Sequence, residues 1–169
     1  MKKILLIVTL LITGIFTTPV DAKIEVGSQA PELLGTDLKG NKILLSNLKG
    51  KIVLISFWAT WCPPCLQEMP VLEAIKKSAS DKLEVIAISF KQSKKDYRKM
   101  VKKLDKFHIQ FTFDRKSKIS NKFGVKSIPY LVILDNTGKV AFIHKGFGEN
   151  STQNILDDVN TLLSMGIMK

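Results

Sequence analysis

The chain contains only two cysteines, and they lie three positions apart in the segment Trp61-Cys62-Pro63-Pro64-Cys65. If this segment opens a helix, positions i and i+3 lie on one face about 5–6 Å apart. A disulfide tolerates that Cα separation. The spacing therefore predicts a Cys62–Cys65 dithiol that closes reversibly into a disulfide and exchanges electrons with other thiols.

Two other uses of such a pair are open. A disulfide across so short a loop constrains the unfolded chain by only about 2 kcal/mol, so a purely structural bridge would contribute little to folding. A metal site would need a second pair of ligands, and the only two histidines, His108 and His144, are isolated in the sequence. Redox chemistry is favoured over both uses. No metal site is predicted, and both histidines are interpreted as surface or strand-end residues.

The first 22 residues differ in pattern from the rest of the chain. Lys2 and Lys3 precede an apolar run over 4–16, which is followed by a short segment that ends at Ala22. This order is typical of a secretory signal peptide with cleavage after Ala22. The apolar run is shorter than the 20 or so residues of a spanning helix, although retention as a membrane anchor stays open. We expect a signal peptide over 1–22 and a periplasmic or otherwise extracytoplasmic domain over 23–169.

Positive charge is concentrated in one segment. The chain has 26 Lys and Arg against 15 Asp and Glu, a net charge of +11, which becomes +10 without residues 1–22. Apolar residues recur at helical spacing over 93–107, so the lysines there form the solvated face of an amphipathic helix. Nucleic-acid binding is not expected of an exported protein. A solubilising surface is the favoured interpretation, and the alternatives are contact with an acidic partner or peripheral contact with an anionic membrane surface.

Alternating apolar and amphipathic segments predict an α/β fold. Strands are expected at 52–57, 83–90 and 110–113, and helices at 63–78, with a kink at Pro70, and at 93–107. The right-handed crossover rule makes these three strands parallel. A polar turn at 135–138 predicts an antiparallel hairpin, and a last helix begins near Ser151. The predicted architecture is a three-layer α/β/α sandwich around a mixed sheet, with residues 24–47 as an N-terminal extension.

The segment Phe57–Cys65, Phe-Trp-Ala-Thr-Trp-Cys-Pro-Pro-Cys, resembles the thioredoxin superfamily, and within it the exported TlpA/ResA-type thiol-disulfide oxidoreductases. The resemblance continues at Ile128-Pro129 and covers nearly the whole chain after residue 22. Cytosolic thioredoxins carry a buried aspartate six residues before the first cysteine, where this chain has Ser56. The exported subgroup has a glutamate three residues past the second cysteine, where this chain has Glu68.

The resemblance implies three catalytic residues. Cys62, at the helix start, is the expected nucleophile, and Cys65, one turn inside, is expected to resolve the mixed disulfide. Glu68 is expected to accept or relay the Cys65 proton, although sequence alone would place it on the exposed surface of the helix.

Further residues are expected to bind the substrate: Trp61, Pro63, Pro64, Ile128 and Pro129. Pro129 is expected to be a cis proline that faces the disulfide. Pro63 and Pro64 have no N–H group, so fewer donors reach the Cys62 sulfur. A moderately lowered Cys62 pKa and a reducing couple are therefore predicted.

The resulting hypothesis is an exported reductase of disulfides in other exported proteins, with apocytochrome c as a substrate suggested by the family. No bound cofactor is required, because electrons arrive by dithiol exchange, and the expected donor is a membrane thiol-disulfide protein. The alternatives are a disulfide-donating oxidase and a metal or thiol chaperone without turnover.

Overall fold

The computed structural model describes residues 24–167, so the predicted signal peptide, 1–22, lies outside the described residues. The first two strands, β1 (Leu33–Thr36) and β2 (Lys42–Leu44), form an antiparallel hairpin. The main sheet contains β3 (Ile52–Trp58), β4 (Leu83–Ser89), β5 (Gln110–Thr112), β6 (Tyr130–Leu134) and β7 (Val140–Lys145). The α-helices are α1 (Pro63–Ala79), α2 (Lys94–Lys103), α3 (Lys118–Lys122) and α4 (Ser151–Ile167).

The main sheet has the order β5-β4-β3-β6-β7. Strands β3, β4 and β5 are parallel, and β6 and β7 are antiparallel to their neighbours. Every residue of β3 is buried, as its run of apolar residues requires for a central strand covered on both faces. The predicted mixed sheet in a three-layer sandwich is confirmed.

The two faces of the sheet are covered by different elements. On β3, Leu54 and Trp58 point to the face covered by α1, α2 and α4, whereas Val53 and Phe57 point to the face covered by α3 and the N-terminal arm, residues 24–48. Helices α1 and α2 lie on the same face because each belongs to a right-handed crossover between parallel strands, and both crossovers move in the same direction across the sheet, from β3 to β4 and from β4 to β5. Ser56 lies on the α1 face, since side chains alternate along a strand.

The N-terminal arm packs against the sheet where two backbones approach closely. Gly35 has a φ of +120°, and a Cβ at this position would lie 2.4 Å from the Oγ1 of Thr112. The Thr112 hydroxyl donates to the Leu34 carbonyl at 2.7 Å. Only glycine fits both the backbone angle and the space, which fixes the β1–β2 hairpin beside β5.

The basic helix is shorter than its sequence pattern predicts. Helix α2 ends at Lys103, not at Phe107, and the Leu104 N–H is shared between the carbonyls of Met100 and Val101. Beyond this end, the Glu73 carboxylate of α1 accepts the His108 backbone N–H at 2.7 Å, which holds the following segment against α1. Helix α1, in contrast, continues through Pro70 as one element.

Candidate active site

Cys62 and Cys65 form a disulfide at the start of α1, with their Cα atoms 5.3 Å apart. Cys62 is the N-cap residue of the helix, and its Sγ accepts a hydrogen bond from the Cys65 backbone N–H at 3.3 Å. Cys62 is 5% exposed, whereas Cys65 is completely buried. An incoming thiol or disulfide therefore reaches Cys62 first.

The first turn of α1 offers few hydrogen-bond donors to the Cys62 sulfur. Pro63 and Pro64 have no N–H group, and the Leu66 N–H donates to the Cys62 carbonyl at 3.2 Å. The Cys65 N–H is thus the one backbone donor of this turn that reaches the sulfur. The positive end of the helix dipole still lies beside Cys62 and favours its thiolate.

The predicted substrate-binding residues lie at the same end of the sheet as the disulfide. Trp61 is 57% exposed, and Pro63 and Pro64 are exposed beside it. Because Tyr130 at the start of β6 pairs with Phe57 near the end of β3, the preceding Ile128-Pro129 segment lies next to this loop. The Ile128–Pro129 peptide bond is cis. Ile128 is half-buried and packs against the core cluster that contains both cysteines.

Glu68 is buried in the core, not exposed on the helix surface as sequence alone would place it. It is 1% exposed, and its Oε2 accepts a hydrogen bond from the Ser56 hydroxyl at 2.6 Å. Burial raises the pKa of Glu68 to about 7, although the Ser56 hydrogen bond acts in the opposite direction. Residues three apart share a helix face, so this carboxyl group lies one turn from Cys65 and titrates near neutral pH.

Gln92 holds the loop before Cys62, and sequence reasoning did not identify it. Its Oε1 accepts the Thr60 backbone N–H at 3.0 Å, and beside it the Phe90 N–H donates to the Trp58 carbonyl at 2.7 Å. Lys91, between Phe90 and Gln92, adopts a left-handed φ of 44°. The available signal was its position just after a buried parallel strand, at the edge where sites form in α/β sheets.

The two histidines connect elements of the fold. The Nδ1 of His108 lies 2.7 Å from the Glu73 carboxylate, and the Nε2 of His144 lies 2.8 Å from that of Asp158. The His108 side chain is 62% exposed. Across residues 24–167, no group of three or more His, Cys, Asp or Glu side chains is placed to hold a metal ion.

The mixed sheet, the cis proline and the disulfide at a helix start define a thioredoxin-like thiol-disulfide oxidoreductase. A thioredoxin-like family model matches residues 50–140, and the chain belongs to this family.

Named relatives agree with this class. The chain is 40% identical over 125 residues to the thioredoxin-like protein YneN of Bacillus subtilis (strain 168), covering 73% of each sequence. It is 35% identical over 135 residues to the thiol-disulfide oxidoreductase ResA of Bacillus cereus (strain ZK / E33L), covering 79% of this chain and 76% of the relative. A Chlorobium tepidum structure assigned as the thiol:disulfide interchange protein DsbE superposes with a TM-score of 0.74 at 26% identity, covering 83% and 99% of the two chains. The predicted family and thiol-disulfide oxidoreductase activity are confirmed.

Proposed function

We propose that this oxidoreductase works as a reductase of disulfides in other exported proteins. The observation that carries the direction is the single backbone N–H that reaches the Cys62 sulfur. A couple becomes strongly oxidising when its reduced form is stabilised, and Pro63 and Pro64 remove two donors that could stabilise the thiolate. The reduced form of the Cys62/Cys65 couple is therefore stabilised only weakly, which favours transfer of its electrons to a substrate disulfide.

The reaction proceeds in two exchanges. The Cys62 thiolate attacks one sulfur of the substrate disulfide, whose S–S bond breaks, and the other substrate sulfur leaves and takes a proton. The Cys65 thiolate then attacks the Cys62 sulfur of the mixed disulfide, closes the Cys62–Cys65 bond and releases the second substrate sulfur, which is also protonated. Two electrons and two protons pass to the substrate.

Glu68 supplies the proton acceptor for the second exchange. Cys65 is completely buried and must lose its proton before it attacks. A carboxyl group with a pKa of about 7, one helical turn away, is ionised in part of the molecules at neutral pH and can accept that proton. The Ser56 hydroxyl holds the carboxylate in place. Exposed Trp61 and the Ile128-Pro129 backbone form the rim against which an extended substrate segment lies.

The location of the reaction follows from the N-terminal sequence, whose order of basic, apolar and small residues directs export. Within residues 24–167, the helices are too short or too polar to span a bilayer. Outside the cytoplasm, a membrane thiol-disulfide protein is the proposed source of electrons, delivered by dithiol exchange without a bound cofactor. Apocytochrome c is the proposed substrate that the family resemblance suggests.

The equilibrium reduction potential of the Cys62/Cys65 pair tests the direction. In glutathione or dithiothreitol buffers we expect a value near or below about −250 mV, in the range of thioredoxin. A value near about −120 mV, as in a strong oxidant, would make the protein a disulfide donor. Insulin reduction by the prereduced protein is the companion measurement. Negligible turnover together with tight metal uptake would indicate a metal or thiol chaperone.

A further inference from the structure

A basic groove lies between α2 and the β1–β2 hairpin. Its volume is about 640 Å³, and its lining is one apolar side chain, Leu38, and five cations, Lys94, Lys95, Arg98, Lys99 and Lys102. All five cations are exposed, and Leu38 is 37% exposed. No carboxylate lines the groove.

The cations of this groove are not paired with carboxylates of the described residues. Within the part of the chain that the structure describes, none of the five cations forms a salt bridge. The carboxylates nearest in sequence to the groove residues make hydrogen bonds instead. Asp37, in the hairpin, accepts hydrogen bonds from the Lys39 and Asn41 backbone N–H groups. Asp96, on α2, accepts one from the Ser93 hydroxyl. The groove therefore offers unpaired positive charge to an anionic ligand.

The cations are spaced regularly along the helix. Lys94, Arg98 and Lys102 follow one another at four-residue intervals, which correspond to about 6 Å along the axis. Lys95 and Lys99 form a second row with the same interval. An extended chain advances about 6.6 Å for every two residues. Carboxylates on alternate residues of an extended segment would therefore meet successive cations, whereas half of the carboxylates in a contiguous acidic run would point away.

One end of the groove adjoins the active-site loop. Helix α2 begins at Lys94, two residues after Gln92, and Gln92 holds the Thr60 N–H two residues before Cys62. We infer that the groove binds an extended acidic segment of the protein whose disulfide is exchanged at Cys62, an inference that rests on the proposed function. The acidic segment holds the substrate disulfide near Cys62, and Leu38 contacts an apolar residue beside that segment.

Two synthetic peptides test this inference in single-turnover reactions with the prereduced protein. Both carry a four-residue core closed by one disulfide, flanked on both sides by alternating Glu-Ser in one peptide and by alternating Gln-Ser in the other. At low ionic strength we expect the acidic peptide to react about tenfold faster, since several exposed ion pairs act together. The preference should vanish at about 1 M salt, where the Debye length is about 3 Å.

A matched pair of variants separates the groove from net charge. Lys95→Glu/Lys99→Glu reverses two lysines of the groove that are four residues apart. Lys118→Glu/Lys122→Glu does the same on α3, which lies on the opposite face of the sheet. The first variant should lose the preference for the acidic peptide, and the second should keep it. Equal losses in both variants would show that only net charge acts and would overturn the inference.

Other outcomes distinguish this inference from the proposed function. Equal rates for both peptides would overturn the groove while leaving the reductase intact. If neither peptide is reduced, the proposed function fails. Binding to the groove is then tested separately, by fluorescence anisotropy with a labelled, cysteine-free Glu-Ser peptide. Binding that is absent, or that does not depend on Lys95 and Lys99, would overturn the inference. A third outcome is that the protein binds phosphatidylglycerol vesicles through Lys95 and Lys99 but shows no preference for the acidic peptide. This result would assign the groove to a membrane surface and would also overturn the inference.

Discussion

At the residue scale, the burial of Glu68 beside Ser56 is the feature that most changes the chemistry of the site. The sequence shows a serine where cytosolic thioredoxins have an aspartate, and a glutamate one turn past Cys65. It does not show that these two side chains meet, because the 2.6 Å contact joins a strand to a helix across the core. Burial of Glu68 was therefore beyond sequence reasoning, which places an isolated helix carboxylate in solvent.

The raised pKa of Glu68 predicts a pH-dependent cost to stability. The folded protein keeps a proton that the unfolded chain releases between pH 4.5 and about 7, so the free energy of unfolding falls as pH rises across that window. Glu68→Gln cannot ionise and should match the wild type near pH 4. At pH 8 it should be more stable than the wild type by about 3 kcal/mol.

Urea denaturation of the oxidised protein from pH 4 to 8 measures this difference. Glu149→Gln, which changes an exposed carboxylate, is the matched control. Its free energy of unfolding should vary with pH in the same way as that of the wild type. If the free energy of unfolding of Glu68→Gln also varies with pH as that of the wild type does, Glu68 does not have the pKa that its burial indicates.

At the scale of elements, the strands and helices were predictable to within a few residues wherever apolar periodicity sets them. The continuous apolar runs of β3, β4 and β6 locate those strands, and Pro63 and Pro64 locate the start of α1. The end of α2 was not predictable, because the apolar pattern continues to Phe107 while the Glu73 carboxylate binds the next residue, His108. A hydrogen bond between residues 35 positions apart leaves no signal in the sequence of the helix before it.

Glu73 should contribute to stability by holding the segment after α2 against α1. Burial opposes its ionisation, yet hydrogen bonds from His108 and Lys77 lower the pKa of Glu73 below its unfolded value of 4.5. Glu73→Ala should destabilise the protein by about 2 kcal/mol at pH 7, since the His108 backbone N–H loses its hydrogen bond to a charged acceptor. Because a lowered pKa stabilises only while the group is ionised, the difference should shrink as pH falls below 4.5.

Chemical denaturation at pH 7 and at pH 3.5 measures both effects. Lys77→Ala is the matched control, because its side chain is 59% exposed and such an ion pair contributes less than about 1 kcal/mol. A Glu73→Ala variant as stable as Lys77→Ala would show that the Glu73–His108 hydrogen bond does not stabilise the fold.

At the scale of the whole molecule, the crossover rule predicts the parallel half of the sheet, and the polar turn at 135–138 predicts the hairpin that completes it. The path of the N-terminal arm was not predictable beyond its position on one side of the sheet. Its placement depends on single backbone contacts, such as the Phe113 N–H with the Thr36 carbonyl at 2.9 Å, and on the space that Gly35 leaves beside Thr112.

A reducing Cys62/Cys65 couple predicts how the redox state acts on global stability. If folding favours the disulfide over the dithiol by some free energy, the oxidised protein must have a free energy of unfolding larger than that of the reduced protein by the same amount. Chain entropy for so short a loop sets this difference at about 2 kcal/mol. Denaturation curves with and without dithiothreitol measure it. A double variant, Cys62→Ser/Cys65→Ser, should be insensitive to the reductant, and a reduced wild type that is more stable than the oxidised form would indicate an oxidase.

The N-terminal arm also reaches both outer strands of the main sheet. Thr36 bridges to Phe113 beside β5, and Gln29 bridges to Lys139 at the start of β7. The unpaired backbone of an edge strand is a template on which another chain can add by edge-to-edge pairing. By occupying part of both edges with one continuous segment, the arm guards the protein against aggregation, a protection that a chain shortened at this end would lose on both sides at once.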